Sequence, residues 1–138
     1  MKTIALVMGA FHRARVEEML DEAERAASEH GLAIAARIWV QGSLEKPLAL
    51  KRLLLRRDVH GAAALGIIER GETKHGLVMG QAVLSSLLAL QLELMKPIGI
   101  GILGPEILPD QIQPRLRPYA RDAVTALAGM LGGDEHPA

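Results

Sequence analysis

Four short apolar runs, each followed by a helical pattern, limit what this chain can fold into more than any other feature. Thr3–Met8, Ala33–Val40, Ala62–Ile68 and Pro97–Leu103 read as strands. The first, third and fourth are continuously apolar or nearly so, the pattern of parallel strands covered on both faces. Between the runs, Arg13–His30 lines Val16, Met19, Leu20, Ala23 and Ala27 along one helical face, and Gly31 follows where a helix-ending glycine belongs. Pro47–Arg57 predicts a shorter helix opened by proline, and Leu77–Met95 a long one apolar around most of its circumference. Pro109–Leu131 predicts a last helix whose start Pro114 and Pro118 delay or kink, and Gly132–Ala138 reads as a frayed tail. Strand–helix alternation with short connections implies right-handed crossovers. The expected fold is therefore three-layer α/β, a four-stranded parallel sheet of order 2-1-3-4 between helices.

At 138 residues and 49% hydrophobic content the chain makes one domain, 1–138, with a core of its own. Lys+Arg and Asp+Glu balance at 16 each, so no net field draws in nucleic acid or anionic lipid. With one Phe, one Trp and one Tyr, stacking of single-stranded bases on an aromatic platform is poorly supported. The absence of cysteine removes disulfides, thiolate nucleophiles and thiolate metal ligands. The N-terminal apolar run ends at Gly9-Ala10, too short for a signal sequence or membrane span, so a cytoplasmic protein is expected. The apolar third helix is either a self-association surface or a helix sandwiched between the sheet and neighbouring helices.

In an open parallel sheet, ligands bind beyond the carboxyl ends of the strands. Phe11, the only phenylalanine, follows a glycine in one such turn. It either stacks on a planar ligand or packs beneath its own loop. After the second strand come Gly42-Ser43-Leu44-Glu45-Lys46-Pro47, where Glu45 is either a solvated loop acid or an acceptor for hydroxyls of a ligand. Gly71-Glu72-Thr73-Lys74-His75 opens the third helix. Its backbone N–H groups and the Thr73 hydroxyl suit a phosphate, and an imidazole at its edge can move protons. The plain alternative is that Thr73 caps the helix and Glu72 favours its positive end. The segment is not a Walker loop, since the glycine spacing and Lys-Ser/Thr ending are missing. A metal site from His12, His75 and Glu72 is conceivable, but helical His-x-x-x-His spacing is absent and no metal is expected. His30, His60 and His136 are expected to be solvated.

Taken together and in this order, the loops resemble the lumazine synthases (6,7-dimethyl-8-ribityllumazine synthases). The resemblance rests on Phe11-His12, on Gly42-Ser43-Leu44-Glu45-Lys46-Pro47, and on Gly66-Ile67-Ile68-Glu69-Arg70-Gly71-Glu72-Thr73-Lys74-His75. Lys96–Leu103 fits the family's next strand, and Gly104-Pro105 with Gln111-Ile112-Gln113-Pro114-Arg115 resembles its archaeal-type branch. The match runs from about Thr3 to Leu131. It implies a flavodoxin-like fold and condensation of 5-amino-6-ribitylaminouracil with 3,4-dihydroxy-2-butanone 4-phosphate, without metal or organic cofactor. It also implies a homopentamer whose sites span two subunits. By position, Phe11 stacks on the pyrimidine, Ser43, Leu44 and Glu45 line the ring and ribityl site, and Ile67, Ile68 and Glu69 meet the uracil edge. Glu72 and Thr73 sit at the phosphate, Arg115 clamps it from a neighbouring subunit, and His75 transfers protons. Leu44 stands where the family usually has Phe, Ile100 where an aromatic is common in the substrate pocket, and His12 in place of Asn, while Gly76 follows the histidine. Two other readings are a related binding or scaffold protein without turnover and, further off, an archaeal-type riboflavin synthase.

Overall fold

The computed structural model describes residues 1–132. Its strands are β1 (Thr3–Gly9), β2 (Ala33–Val40), β3 (Gly61–Glu69) and β4 (Ile98–Ile107). Its helices are α1 (Arg13–Glu29), α2 (Lys46–Leu54), α3 (His75–Leu94), the single turn α4 (Pro109–Ile112) and α5 (Leu116–Leu131). All pairings are parallel and the order is β2-β1-β3-β4, the flavodoxin-like arrangement expected from the alternation.

Side chains alternate across each strand, and that period of two divides the core. Ile4, Leu6, Met8, Ala63 and Leu65 pack with α1 and α5, whereas Ala5, Val7, Ala62, Ala64 and Ile68 pack with α2 and α3. Covered on both faces, β1 and β3 carry polar residues only at their ends, Thr3 and Glu69. The edge strand β2 is only partly buried and admits Arg37 and Trp39.

Local chemistry sets the element ends. Gly31, at φ +69°, follows α1; its N–H donates to the Ser28 carbonyl and that of Leu32 to the Ala27 carbonyl, closing the helix as expected. The last helical stretch is broken where proline predicts: α4, a 3-10 turn at Gln113–Arg115, then α5. Pro118 falls in the first turn of α5, where a missing N–H costs no intrahelical bond. Arg121 joins α5 to α1, with Nε 2.7 Å from Glu22 and Nη2 2.7 Å from Glu29, whose carboxyl it holds below its usual range.

Two element ends and the environment of one histidine differ most from expectation. β4 does not stop at Leu103 but continues through Gly104-Pro105-Glu106, because Glu69 still pairs with Ile107 and the Arg70 N–H donates to the Ile107 carbonyl. The helix α2 ends at Leu54, short of Arg57. His60 is not solvated: it is half-buried and its Nδ1 accepts the Thr3 N–H at 2.9 Å. His136 lies outside the described residues, as does the tail after Gly132.

The long helix α3 is apolar enough to cross a membrane by length and composition alone. Gly80, Val83, Leu87 and Leu90 cover the sheet, but Val78, Leu88, Leu92 and Met95 remain exposed, Leu92 by 76%. A single chain therefore covers one face of this helix and leaves the other apolar face open.

Candidate active site

Three chain segments build a cleft of about 360 Å³ at the carboxyl ends of β1, β2 and β3. Phe11 comes from the β1 turn, Gln41, Gly42 and Ser43 from the β2 turn, and Ile67, Ile68 and Glu69 from the end of β3. Thr73 and His75 enter with the start of α3, followed by Gly76 and Met79. The sheet itself brings these residues together. The register of β1 with β2 and β3 aligns the three strand ends, and each chain then leaves by a short turn.

Phe11 is 56% exposed, so it lies on the cleft rather than beneath its loop. The next residue, His12, turns the chain in the left-handed conformation at φ 57°, and its ring meets that of Phe11 edge-on at 4.3 Å. His12 Nε2 lies 2.7 Å from Glu69 Oε2, a link between the ends of β1 and β3. Glu69 thus brings a carboxylate as well as backbone groups to the rim.

Ser43 opens a 3-10 turn and is almost wholly buried. Glu45, at the end of that turn, accepts the Gly42 N–H at 2.8 Å and so holds the loop closed. Leu44 is exposed and outside the cleft lining. The Thr73 Oγ1 accepts the His75 N–H at 3.2 Å, but the N-cap position of α3 is Lys74, so Thr73 sits one residue ahead of the cap. Its own hydroxyl hydrogen stays free to be donated. His75 is exposed and lines the cleft, whereas Glu45 and Glu72 are exposed and outside its lining.

Two sequence candidates lie elsewhere on the same chain. Ile100 lines a groove with Leu88, Gln91 and Tyr119, and Arg115 lines another with Gly104, Pro105 and Glu106. Arg115 Nη1 donates to the Gln111 carbonyl at 2.9 Å.

Similarity to known proteins follows the same boundaries. A family model for 6,7-dimethyl-8-ribityllumazine synthase matches residues 1–132. The 6,7-dimethyl-8-ribityllumazine synthase of Staphylothermus marinus is 37% identical over 131 residues, 95% of this chain and 87% of that protein. Those of Metallosphaera sedula and Methanopyrus kandleri are 34% and 33% identical, over 92% and 93% of this chain and 84% and 90% of theirs. The chain belongs to the 6,7-dimethyl-8-ribityllumazine synthase family.

One polar residue beside this lumazine synthase-type cleft escaped the sequence reading. Lys46, the first residue of α2, is completely buried, its Nζ 3.2 Å from Ser43 Oγ. Burial pushes its amine down to about 8, against a smaller upward effect of the Glu45 charge. A signal was available: Lys46, Leu50, Leu53 and Leu54 share one helical face, and the other three are core leucines.

Proposed function

We propose that this chain condenses 5-amino-6-ribitylaminouracil with 3,4-dihydroxy-2-butanone 4-phosphate to 6,7-dimethyl-8-ribityllumazine. The observation that carries the reading is the convergence of Phe11, Ser43, the Ile67-Ile68-Glu69 edge, Thr73 and His75 on one cleft. The exposed ring of Phe11 offers a stacking face, and the end of β3 offers backbone groups to a uracil edge. The aromatic amine attacks the ketone and water leaves to form an imine. Elimination expels phosphate, and ring closure by the ribitylamine nitrogen expels a second water. Each step moves protons but no electrons to an external acceptor, so an imidazole in the cleft can serve, with no metal or organic cofactor. Holding both reactants in one orientation supplies much of the acceleration, up to about 7–11 kcal/mol.

Purified protein given both substrates in chelator is expected to form the fluorescent lumazine. His75→Ala should lower kcat by about 100-fold while changing substrate affinity little. Tight ligand binding with no product from the unaltered chain would favour the binding or scaffold reading.

The same reading makes the protein a cytoplasmic homopentamer with Arg115 reaching the phosphate of a neighbour's site beside Thr73 and Glu72. Support comes from the position of Arg115 and Ile100 outside their own chain's cleft, and from the uncovered apolar face of α3 with Met130 beside it. A mass in solution near five times 14.8 kDa is expected. Arg115→Ala should raise KM for the phosphate-bearing substrate by about tenfold or more and leave that for the uracil substrate unchanged. Equal effects on both substrates would remove Arg115 from the phosphate.

A further inference from the structure

Lysine is almost never fully buried unless it is paired. Lys46 is fully buried, and among the described residues Ser43 Oγ is its one hydrogen-bond partner. Its stem crosses the two central strands at Gly9 and Gly66. A Cβ added at Gly66 would sit 2.2 Å from Nζ, and one at Gly9 3.1 Å away. These two glycines thus leave space that an ammonium occupies directly beneath the cleft wall.

An ammonium has three N–H donors and no acceptor. Ser43 Oγ must therefore accept from Lys46, and the serine hydrogen cannot point back at it. Ser43 also lines the cleft, so that hydrogen is left to be donated to whatever the cleft holds. The contact is buried, where a charge-assisted hydrogen bond is strongest.

We propose that Lys46 is a positioning residue: its ammonium fixes the Ser43 hydroxyl as a donor into the cleft, toward a ring carbonyl oxygen of the planar substrate. This rests on the reaction proposed above, in which that oxygen belongs to the uracil ring. The charge beneath the serine also favours an oxygen that bears partial negative charge over a ring nitrogen that donates.

The arrangement reverses with pH. Titratable groups on the surrounding segments are Glu45 in the 3-10 turn, His12 and Glu69 at the ends of β1 and β3, His75 at the start of α3, and Lys51 and Arg52 farther along α2. Of these, the Glu45 charge is the one that acts on Lys46, and burial outweighs it. Once the amine loses its proton above about pH 8, Nζ gains a lone pair. Ser43 can then donate inward, and the cleft loses its donor.

Calorimetric binding of 5-amino-6-ribitylaminouracil to the assembled protein from pH 6.5 to 9.5, beside turnover assays, tests this. In the unaltered chain, affinity should fall about tenfold through an inflection near or slightly above pH 8. Lys46→Met, of similar length and without charge, should bind about tenfold more weakly at pH 7 and lack that inflection. Ser43→Ala should lose the same amount, and the double variant no more than either single one. An unchanged inflection in Lys46→Met, or losses that add in the double variant, would overturn the role given to Lys46. A lysine that only filled space would change stability without moving the pH profile. The two readings fail separately: product formation with pH-independent binding sinks the role of Lys46, whereas absent product with the expected binding profile sinks the reaction.

Discussion

Lys46→Met is expected to raise the unfolding free energy at pH 7 by about 3 kcal/mol. The estimate follows from the drop of its amine from 10.5 to about 8 on folding. Between these two values the unfolded chain holds the proton and the folded chain does not, so stability rises as pH increases from about 8 to 10.5. Below about pH 8 both states are charged, and the folded protein carries the whole cost of burying the ammonium with a single hydrogen bond. Methionine occupies a similar volume without that cost. Denaturant melts of the two proteins at equal concentration, from pH 7 to 10.5, should show a gap that is widest at neutral pH and narrows as the pH rises. In thermal melts the gap at pH 7 corresponds to roughly 10 °C. A constant gap would show that the amine does not titrate differently in the folded state. With the expected narrowing gap, the variant is more stable and a poorer binder, the trade expected where a costly buried charge serves a site.

Gly99→Ala should act in the opposite direction. A Cβ on Gly99 would lie 2.2 Å from the Ala123 carbonyl oxygen and 2.9 Å from its carbon. Both atoms belong to the backbone of α5, so no side chain can swing aside. The helix must lift from β4, which loosens the contacts of Val124, Leu127 and Ala120 with the sheet. A loss of about 3 kcal/mol or more is expected. Gly129→Ala supplies the contrast. It lies on the exposed side of the same helix, nothing is within 4 Å of its Cβ, and alanine there should stabilise by about 0.5–1 kcal/mol. Urea titration of the two variants separates these outcomes. Equal, small effects would mean that β4 and α5 do not pack as closely as their backbones indicate.

These two positions mark where reading the chain residue by residue stops. Gly99 looks like any weak point in a strand, and Lys46 like a loop charge beside Pro47. Each acquires its meaning from an element distant in sequence: α5 for Gly99, β1 and β3 for Lys46. His12 is similar, since its partner Glu69 lies 57 residues away. Phe11, Ser43 and His75 were legible beforehand because the rule for parallel sheets singles out strand ends, whatever the tertiary detail.

The sequence by itself determined the class of fold, the order of strands and the turns that meet at the cleft. Those follow from hydrophobic period, from glycine and proline, and from the handedness of crossovers, all of which act over short stretches. The tertiary structure alone decided that a lysine lies beneath the cleft, that His12 meets Glu69, and that Ile100 and Arg115 face other grooves of the same chain. Burial and pairing are properties of what lies across the sheet, and no local pattern records the distance between two residues that only folding brings together.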